Sequence, residues 1–528
     1  MDRKKVFKSI FSLLLILIYT AGCSSTPAPE QEQEQEGQQT IVDSLTGEEV
    51  YIDSGGSIAL SMGYPETLNP LENRDLRVDK VLSLIFLPLF TLDDEQQPAP
   101  CIAQEYRLAA DGSTLSIVLK DNLTWQDGTP ITAADVIFSL QTIKNAPSDS
   151  IYKPAMANVE SCYQSSSHVA VINYSEPYGG CAYNLCFPVI PKHHYRTGTN
   201  DMNPLGSGCY RMTDYREKHY MTLEATESSV KGTPYIQRVD VMLAPNAQSD
   251  ADAFRTGMTD VLSTDLGMIG AMDISREITA TTYNSNKFEF IGFNFSQPVL
   301  RNNSFRQGLA YGIPLQDIVT DIYLDNAAKS ITPINPASAL SAPAGIDNYA
   351  YNPELAHNML SAAGYDLSKL TLSLLVNNDS TERLRVANIV ADALKDLGIT
   401  VQIEAVDFNT YLSRLQRGDF QLYIGGTELA PRIEPSALLQ TGGAINYGKY
   451  SDAHMNELLN NCKSALGDDN YKKSIRELQS YCADELPCIG IAFKSSVLLT
   501  SSKIKGDIRP SAVNIFENEE KWYISEEK

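Results

Sequence analysis

Recognisable catalytic signatures are what this 528-residue sequence lacks. No Gly-x-Ser-x-Gly elbow presents a serine nucleophile, and no Gly-x-x-x-x-Gly-Lys-[Ser/Thr] loop is there to cradle a triphosphate. Gly206-Ser207-Gly208 begins like a dinucleotide fingerprint, but Arg211 stands where a third glycine or an alanine is needed. None of the six histidines falls in a His-Glu-x-x-His pattern, which argues against a zinc hydrolase, and the adjacent His193 and His194 read as a surface pair. No metal or cofactor is expected, and no enzyme. Basic residues are also scarce: 42 Lys and Arg against 65 Asp and Glu leave a net charge of −23. That is the wrong sign for a nucleic-acid partner and suits a soluble surface protein instead. Beyond the first 18 residues no segment approaches the ~18 uninterrupted apolar positions of a membrane span. The eight cysteines after Cys23 (Cys101, Cys162, Cys181, Cys186, Cys209, Cys462, Cys482 and Cys488) never form Cys-x-x-Cys. Their even count permits disulfides, and free buried thiols remain an equal alternative.

What is present begins with an export signal. Arg3, Lys4, Lys5 and Lys8 precede an apolar run from Ile10 to Ile18, too short to span a bilayer, so residues 1–22 read as a signal peptide. Thr20-Ala21-Gly22-Cys23 is similar to the bacterial lipobox, with Thr20 in place of the usual leucine, which makes Cys23 the expected lipidated first residue. Residues 23–54, rich in Ser, Pro, Gln and Glu, read as a disordered tether whose ends would lie ~30 Å apart. The remaining length exceeds the ~250–300 residues of a single core, so at least two lobes are expected.

Ile58, Leu60 and Met62 alternate as in a half-buried strand, and Leu115–Leu119 alternate again. In the last third, Leu370–Val376 reads as a strand and Leu384–Leu397 as a helix with Val386, Ile389, Val390, Ala393, Leu394 and Leu397 on one face. Gly398 is placed to end that helix. Ile399–Ala405 alternates as a strand, Phe408–Gln416 can form a helix, and Phe420–Ile424 reads as the next strand. Alternating strands and helices imply parallel βαβ units. Asn352 as N-cap, Pro353 at the first turn and Gly364 beyond the end bracket another helix. No internal repeat is found.

The most specific stretch is Thr124–Val136, reading Thr-Trp-Gln-Asp-Gly-Thr-Pro-Ile-Thr-Ala-Ala-Asp-Val. Asp127-Gly128 supplies a turn in which glycine takes the positive φ. Thr132 then caps a helix, with Asp135 placed to reach back in a capping box. Val136, Leu140 and Ile143 follow on one face. These features alone say strand, turn and helix. The wording, continued in Ile137-Phe138-Ser139, closely resembles the W-x-D-G-x-P-x-T-A-x-D-V-x-F-S signature of solute-binding family 5, the oligopeptide- and dipeptide-binding receptors of ABC importers. Further matches keep the family's order: Leu68-Asn69-Pro70, Gly206-Ser207-Gly208-Cys209-Tyr210, Lys231-Gly232-Thr233-Pro234-Tyr235, Phe293-Asn294, Phe305-Arg306-Gln307 to Leu309-Ala310, and Tyr351-Asn352-Pro353 to Ala363-Gly364-Tyr365.

The resemblance implies an α/β periplasmic-binding-protein type II fold, two α/β lobes joined by a hinge plus an inserted small α+β domain. Its division would be lobe I in residues 55–90, 191–287 and 486–528, the insert in 91–190 and lobe II in 288–485, with a hinge near 288 and 485. It also implies a monomer anchored outside the cytoplasm by lipid, capturing a peptide or peptide-like solute for ABC permease subunits with separate ATPase subunits. A secreted hydrolase, or a surface sensor or adhesin on the same fold, are the opposing readings. Ligand-side positions carried over from the family are Asn73, Arg74, Asn294, Phe408, Asn446 and Tyr447, with Tyr152 of the insert as a cover. At each, core packing or turn formation competes with ligand contact. One departure stands out. Peptide binders of the family follow the Gly-Asp-Phe strand with Gly-Trp-x-Ala-Asp-Tyr, whose aspartate holds the peptide ammonium. This chain has Gly425-Gly426-Thr427-Glu428-Leu429-Ala430-Pro431, without tryptophan or aspartate. Either Glu428 substitutes, or the cargo lacks a free amino terminus, as modified peptides, opines, sugars and metal chelates do.

Overall fold

The computed structural model describes residues 38–42, 49–53, 55–93, 97–156, 158–196, 201–265, 269, 272–429 and 435–525. The expected signal peptide, Cys23 and the start of the expected tether lie outside them. Ordered chain begins earlier than expected: Gln38–Val42 and Glu49–Asp53 pair as an antiparallel hairpin, the second strand beside Tyr523–Ile524. The β-branched and aromatic residues of Thr40-Ile41-Val42 and Val50-Tyr51-Ile52 favour strands, and averaging composition over the whole stretch concealed them.

Three larger sheets carry most of the rest, beside the short pairs Phe90–Leu92 with Pro98–Pro100 and Ile504–Lys505 with Tyr523–Ile524. In the first, the order is Tyr210–Arg216, Tyr220–Ala225, Arg238–Leu243, Ser57–Met62, and only the last pair is parallel. Ile58, Leu60 and Met62 are buried, as their alternation predicts. The second is antiparallel, in the order Ala103–Leu108, Thr114–Leu119, Val169–Tyr174, Val159–Ser166. Helix Ala133–Asn145 joins its core through Val136, Leu140 and Ile143, which share one cluster with Leu115, Ile117 and Leu119. The turn before that helix forms as read: Gly128 has φ +84°, and the Asp135 carboxylate accepts from both the N–H (2.8 Å) and the hydroxyl (2.9 Å) of Thr132.

The third sheet has seven strands and is spanned by Ile278–Phe293 and Cys488–Ser501, which lie antiparallel to each other over most of their length. At one end Val261–Asp265 pairs with Cys488–Ser501; at the other, Leu422–Glu428 pairs with Ile278–Phe293 and leads to Thr371–Asn377 and Thr400–Val406. These last two strands are parallel, as the βαβ reading predicts. Alternation divides the side chains between two cores. Phe288, Phe290 and Leu375 face one, closed by helices Ala453–Ser464 and Asp468–Glu485. Ile291, Phe293, Leu374 and Val376 face the other, closed by Asn303–Gly312, Pro353–Ala362 and Thr381–Asp396. The last of these helices starts three residues before the expected Leu384, because Ser380 caps it by accepting from Arg383 N–H. All eight cysteines are free thiols, six of them buried, so the free-thiol alternative holds. No helix among the described residues is long and apolar enough to cross a membrane.

Arg306, in the Phe305-Arg306-Gln307 match, fastens the corner where the chain enters Cys488–Ser501. Its guanidinium, 2% exposed, donates to the carbonyls of Leu300 (3.0 Å), Arg301 (2.9 Å), Leu486 (3.0 Å) and Glu485. Leu486 is buried with φ +44°, a conformation that disfavours any side chain, and Arg306 holds the carbonyls on either side of its peptide link. Arg306→Met removes the donor from four carbonyls, two of them on the buried Leu300 and Leu486, and should cost about 3 kcal/mol or more in chemical denaturation. Arg306→Lys, with fewer and differently placed donors, should recover only part of the loss.

Candidate functional site

The positions carried over from the sequence scatter into different roles. Asn73 is buried and closes its own turn, donating to Asp75 O (2.9 Å) and accepting from Asp75 N–H (3.1 Å). Arg74 lies half-exposed between Glu66 (3.6 Å) and Asp149 (3.5 Å). Asn294 staples two strand ends, donating to Gly418 O (3.0 Å) and Phe420 O (2.8 Å). Asn446 does the same for its loop, donating to Gln440 O (2.9 Å) and Tyr450 O (2.8 Å). Tyr447 packs partly buried beside the aromatic core, and Phe408, 48% exposed, stacks on Tyr411. Tyr152 lines a cavity beside the Leu76–Leu82 helix.

That cavity encloses about 250 Å³ and is walled by segments remote in sequence. Helix Leu76–Leu82, capped by Asp75, contributes Asp79 and Lys80. Lys120 comes from the end of the second sheet, Tyr152 and Cys186 from the stretch that follows, and Lys231 and Ala512–Ile515 from the far side. Two neighbouring cavities share these walls. One of about 230 Å³ lies between Asp93, Tyr283–Asn286, Ala337 and Pro510–Val513, and one of about 60 Å³ is bounded by Lys80, Arg77, Ser263 and Ile515. Ala512 and Val513 line both the first and the second cavity, and Lys80 and Ile515 both the first and the third, so the three lie side by side.

Several charges in and around these cavities are already paired. Arg77 grips Asp250 with two hydrogen bonds of 2.7 and 2.9 Å. Lys231 binds Glu519 at 3.0 Å, and Lys287 binds Asp265 at 2.6 Å. Burial works to raise the Asp265 pKa, but Lys287 and Lys494 outweigh it and hold the carboxyl below its ordinary value. Lys80 reaches only the Ser263 hydroxyl at 3.2 Å, and burial, then Lys287, draw its pKa down. Glu428, exposed at the end of its strand and opposite Lys287 in register, acts on Lys80 through its charge. The strand reaches Glu428 rather than stopping at the expected Ile424, and Gly425-Gly426 permits this. A side chain at 426 would collide with Arg383 and Glu289, an ion pair with both N–O contacts at 2.8 Å. Packing therefore explains why no tryptophan stands there.

Sequence reasoning missed Asp79. Its carboxylate takes the Tyr152 hydroxyl at 3.1 and 3.2 Å, and burial raises its pKa from the usual 3.8 to about 7, against the lowering effects of that bond and of Lys80. The available signal was a charged pair, Asp79-Lys80, set between Val78 and Val81 on a short helix whose apolar positions are all buried save the first. Because the folded protein keeps this proton between pH 3.8 and about 7 while the unfolded chain releases it, stability falls as pH rises through that interval. Asp79→Asn removes the penalty, so it should exceed the parent at pH 8 by up to roughly 4 kcal/mol and match it near pH 3.5. Urea titrations at the two pH values measure this.

Two α/β halves that share a pair of long strands are the architecture of the two-lobed solute-binding proteins with the type II periplasmic-binding fold. Within that class the chain belongs to a single family. The model described as "Bacterial extracellular solute-binding proteins, family 5 Middle" matches residues 97–443. The oligopeptide-binding protein AppA of Bacillus subtilis is 21% identical, in an alignment covering 99% of this chain and all of that one. Among solved structures, the ABC transporter substrate-binding protein CtaP of Listeria monocytogenes is similar with a TM-score of 0.80 at 22% identity, covering 90% of this chain and 100% of that one. NikZ from Campylobacter jejuni, solved with Ni(L-His), gives 0.72 at 19%, covering 88% and 99%. At such identities the structural likeness speaks for the fold, and the printed cargo differs from relative to relative.

Proposed function

We propose that the protein is the extracytoplasmic receptor of an ABC importer, held to the membrane by lipid on Cys23, which captures a peptide or peptide-like solute and passes it unchanged to the permease. The observation that carries this reading is the group of adjoining cavities, one bounded by the Leu76–Leu82 helix and the Ala512–Ile515 segment and the next by the middle of Ile278–Phe293. Family membership supports the transport role, and AppA, named as oligopeptide-binding, supports a peptide class. Lobe I would comprise 55–90, 191–287 and 486–528, lobe II 288–485 and the insert 91–190. The hinge would lie near 288 and 485; on either side of 288 the pairing between the two long strands slips, at Ser285–Asn286 and again between Glu289 and Phe290. Protein purified from its native host and examined by native mass spectrometry should carry a mass adduct in the peptide range. Turnover of that adduct would count for the hydrolase reading instead.

Closure needs contacts made only in the shut form. Gly179 of the insert donates its N–H to Lys463 O at 3.0 Å, and the Tyr183 ring lies 6.3 Å from that of Tyr471. A methyl group at 179 would overlap the Ala465 carbonyl. Gly179→Ala should therefore prop the insert away from the Ala453–Ser464 helix and speed release of bound solute about tenfold or more, with little change in the melting temperature of the empty protein. An unaltered release rate would remove this contact from the closing movement.

A further inference from the structure

The cavity's carboxylates differ in one respect that bears on what the solute must bring. Glu517 has Lys231 at 3.9 Å and the Asn514 amide at 3.3 Å. Asp250, on the wall of the adjoining 60 Å³ cavity, is held by Arg77; farther off, Asp265 is held by Lys287, and Glu428 sits opposite Lys287. Asp79 has no cation within ion-pair distance among the described residues. Lys80, its neighbour in sequence, projects elsewhere because consecutive helical positions do not share a face, and its ammonium goes to Ser263. An ionised carboxylate offers about four acceptor sites, and the single Tyr152 proton accounts for one. The rest of the group faces the cavity.

We infer, on the reading of the protein as a receptor for peptide-like solutes, that Asp79 with Tyr152 forms the subsite for a primary ammonium group of the cargo. Three further observations agree. Burial without a cation is what lifts the Asp79 carboxyl to about 7, so an arriving ammonium supplies the missing charge and holds the ionised form. Tyr152, whose own pKa is raised by burial and then by Asp79, keeps its proton and fixes the carboxylate's orientation. The backbone at Ile151 is in turn anchored to Asn73 O at 3.3 Å, so the tyrosine and the start of the aspartate's helix move together. A subsite here also makes an aspartate in the 425–431 stretch unnecessary, and Glu428, facing Lys287, is the weaker candidate because a resident cation competes for it.

The test uses the mature protein freed of cargo and two probe pools: tri- to pentapeptides with free amino termini, and the same peptides N-acetylated. Thermal shift ranks the pools and calorimetry on the best binder gives the affinity. The expected result is stabilisation by the free pool alone, at least tenfold weaker binding by Asp79→Asn, and unchanged binding by Glu428→Gln. Tyr152→Phe, which keeps the charge and removes its hydroxyl partner, should retain the preference for the free amine, so a folding defect in Asp79→Asn cannot decide the matter alone. Equal stabilisation by the acetylated pool, or full affinity in Asp79→Asn, overturns the ammonium subsite and leaves the peptide-receptor reading standing. Stabilisation by neither pool overturns that reading, and the subsite falls with it.

Discussion

The antiparallel pairing of Ile278–Phe293 with Cys488–Ser501 is the constraint on which the molecule's other features rest. These two strands take part in a sheet whose ends belong to different cores: Val497 and Leu499 pack with Phe254 and Leu262, while Ile489 and Ile491 pack with Leu374 and Val376. Any relative movement of the two halves has to pass through them. Their pairing slips at Ser285–Asn286, and there backbone groups are caught by side chains instead of the ladder. Ser285 donates to Lys494 O at 2.6 Å, and Asn335 donates to Ser285 O at 3.1 Å. A hydrogen-bonded irregularity of this kind bends without exposing unsatisfied polar groups.

Charge gathers at the same place. Asp265 with Lys287 and Lys494, Lys494 with Glu382, and Glu289 with Arg383 form a chain of ion pairs across strands from both ends of the sheet. Partly buried pairs add little net stability, since desolvation offsets most of their attraction. Their directionality instead fixes which side chains meet. Against that background a carboxylate lacking a cation, Asp79, becomes conspicuous. Four buried thiols, Cys101, Cys209, Cys482 and Cys488, add no charge, because burial raises their pKa; Cys101, on the cavity wall, is pushed up to about 11.

Local elements were legible where a local rule governs them. The turn and cap from Asp127 to Asp135, the helix from Pro353, and the apolar face ending before Gly398 all follow from capping, φ preference and periodicity within a few residues. The candidate site was less legible. Asn73, Asn294 and Asn446 lie near family landmarks, yet each uses its amide to satisfy nearby backbone. An asparagine that serves a ligand and one that serves a turn have the same local sequence, since both uses need one donor and one acceptor on a short stem. The hairpin from Gln38 was hidden for a different reason: composition over a window reports the average, and strand pairing depends on the few residues in register.

By itself the sequence determined several of the strands and helices and which family the chain belongs to, because those properties reside in short patterns of residue type and spacing. Tertiary structure alone decided which polar groups face the space between distant segments. Asp79, Tyr152, Lys231 and Ala512 are separated by up to several hundred positions, and the sheet pairings that gather them fix which charges find partners before any solute arrives.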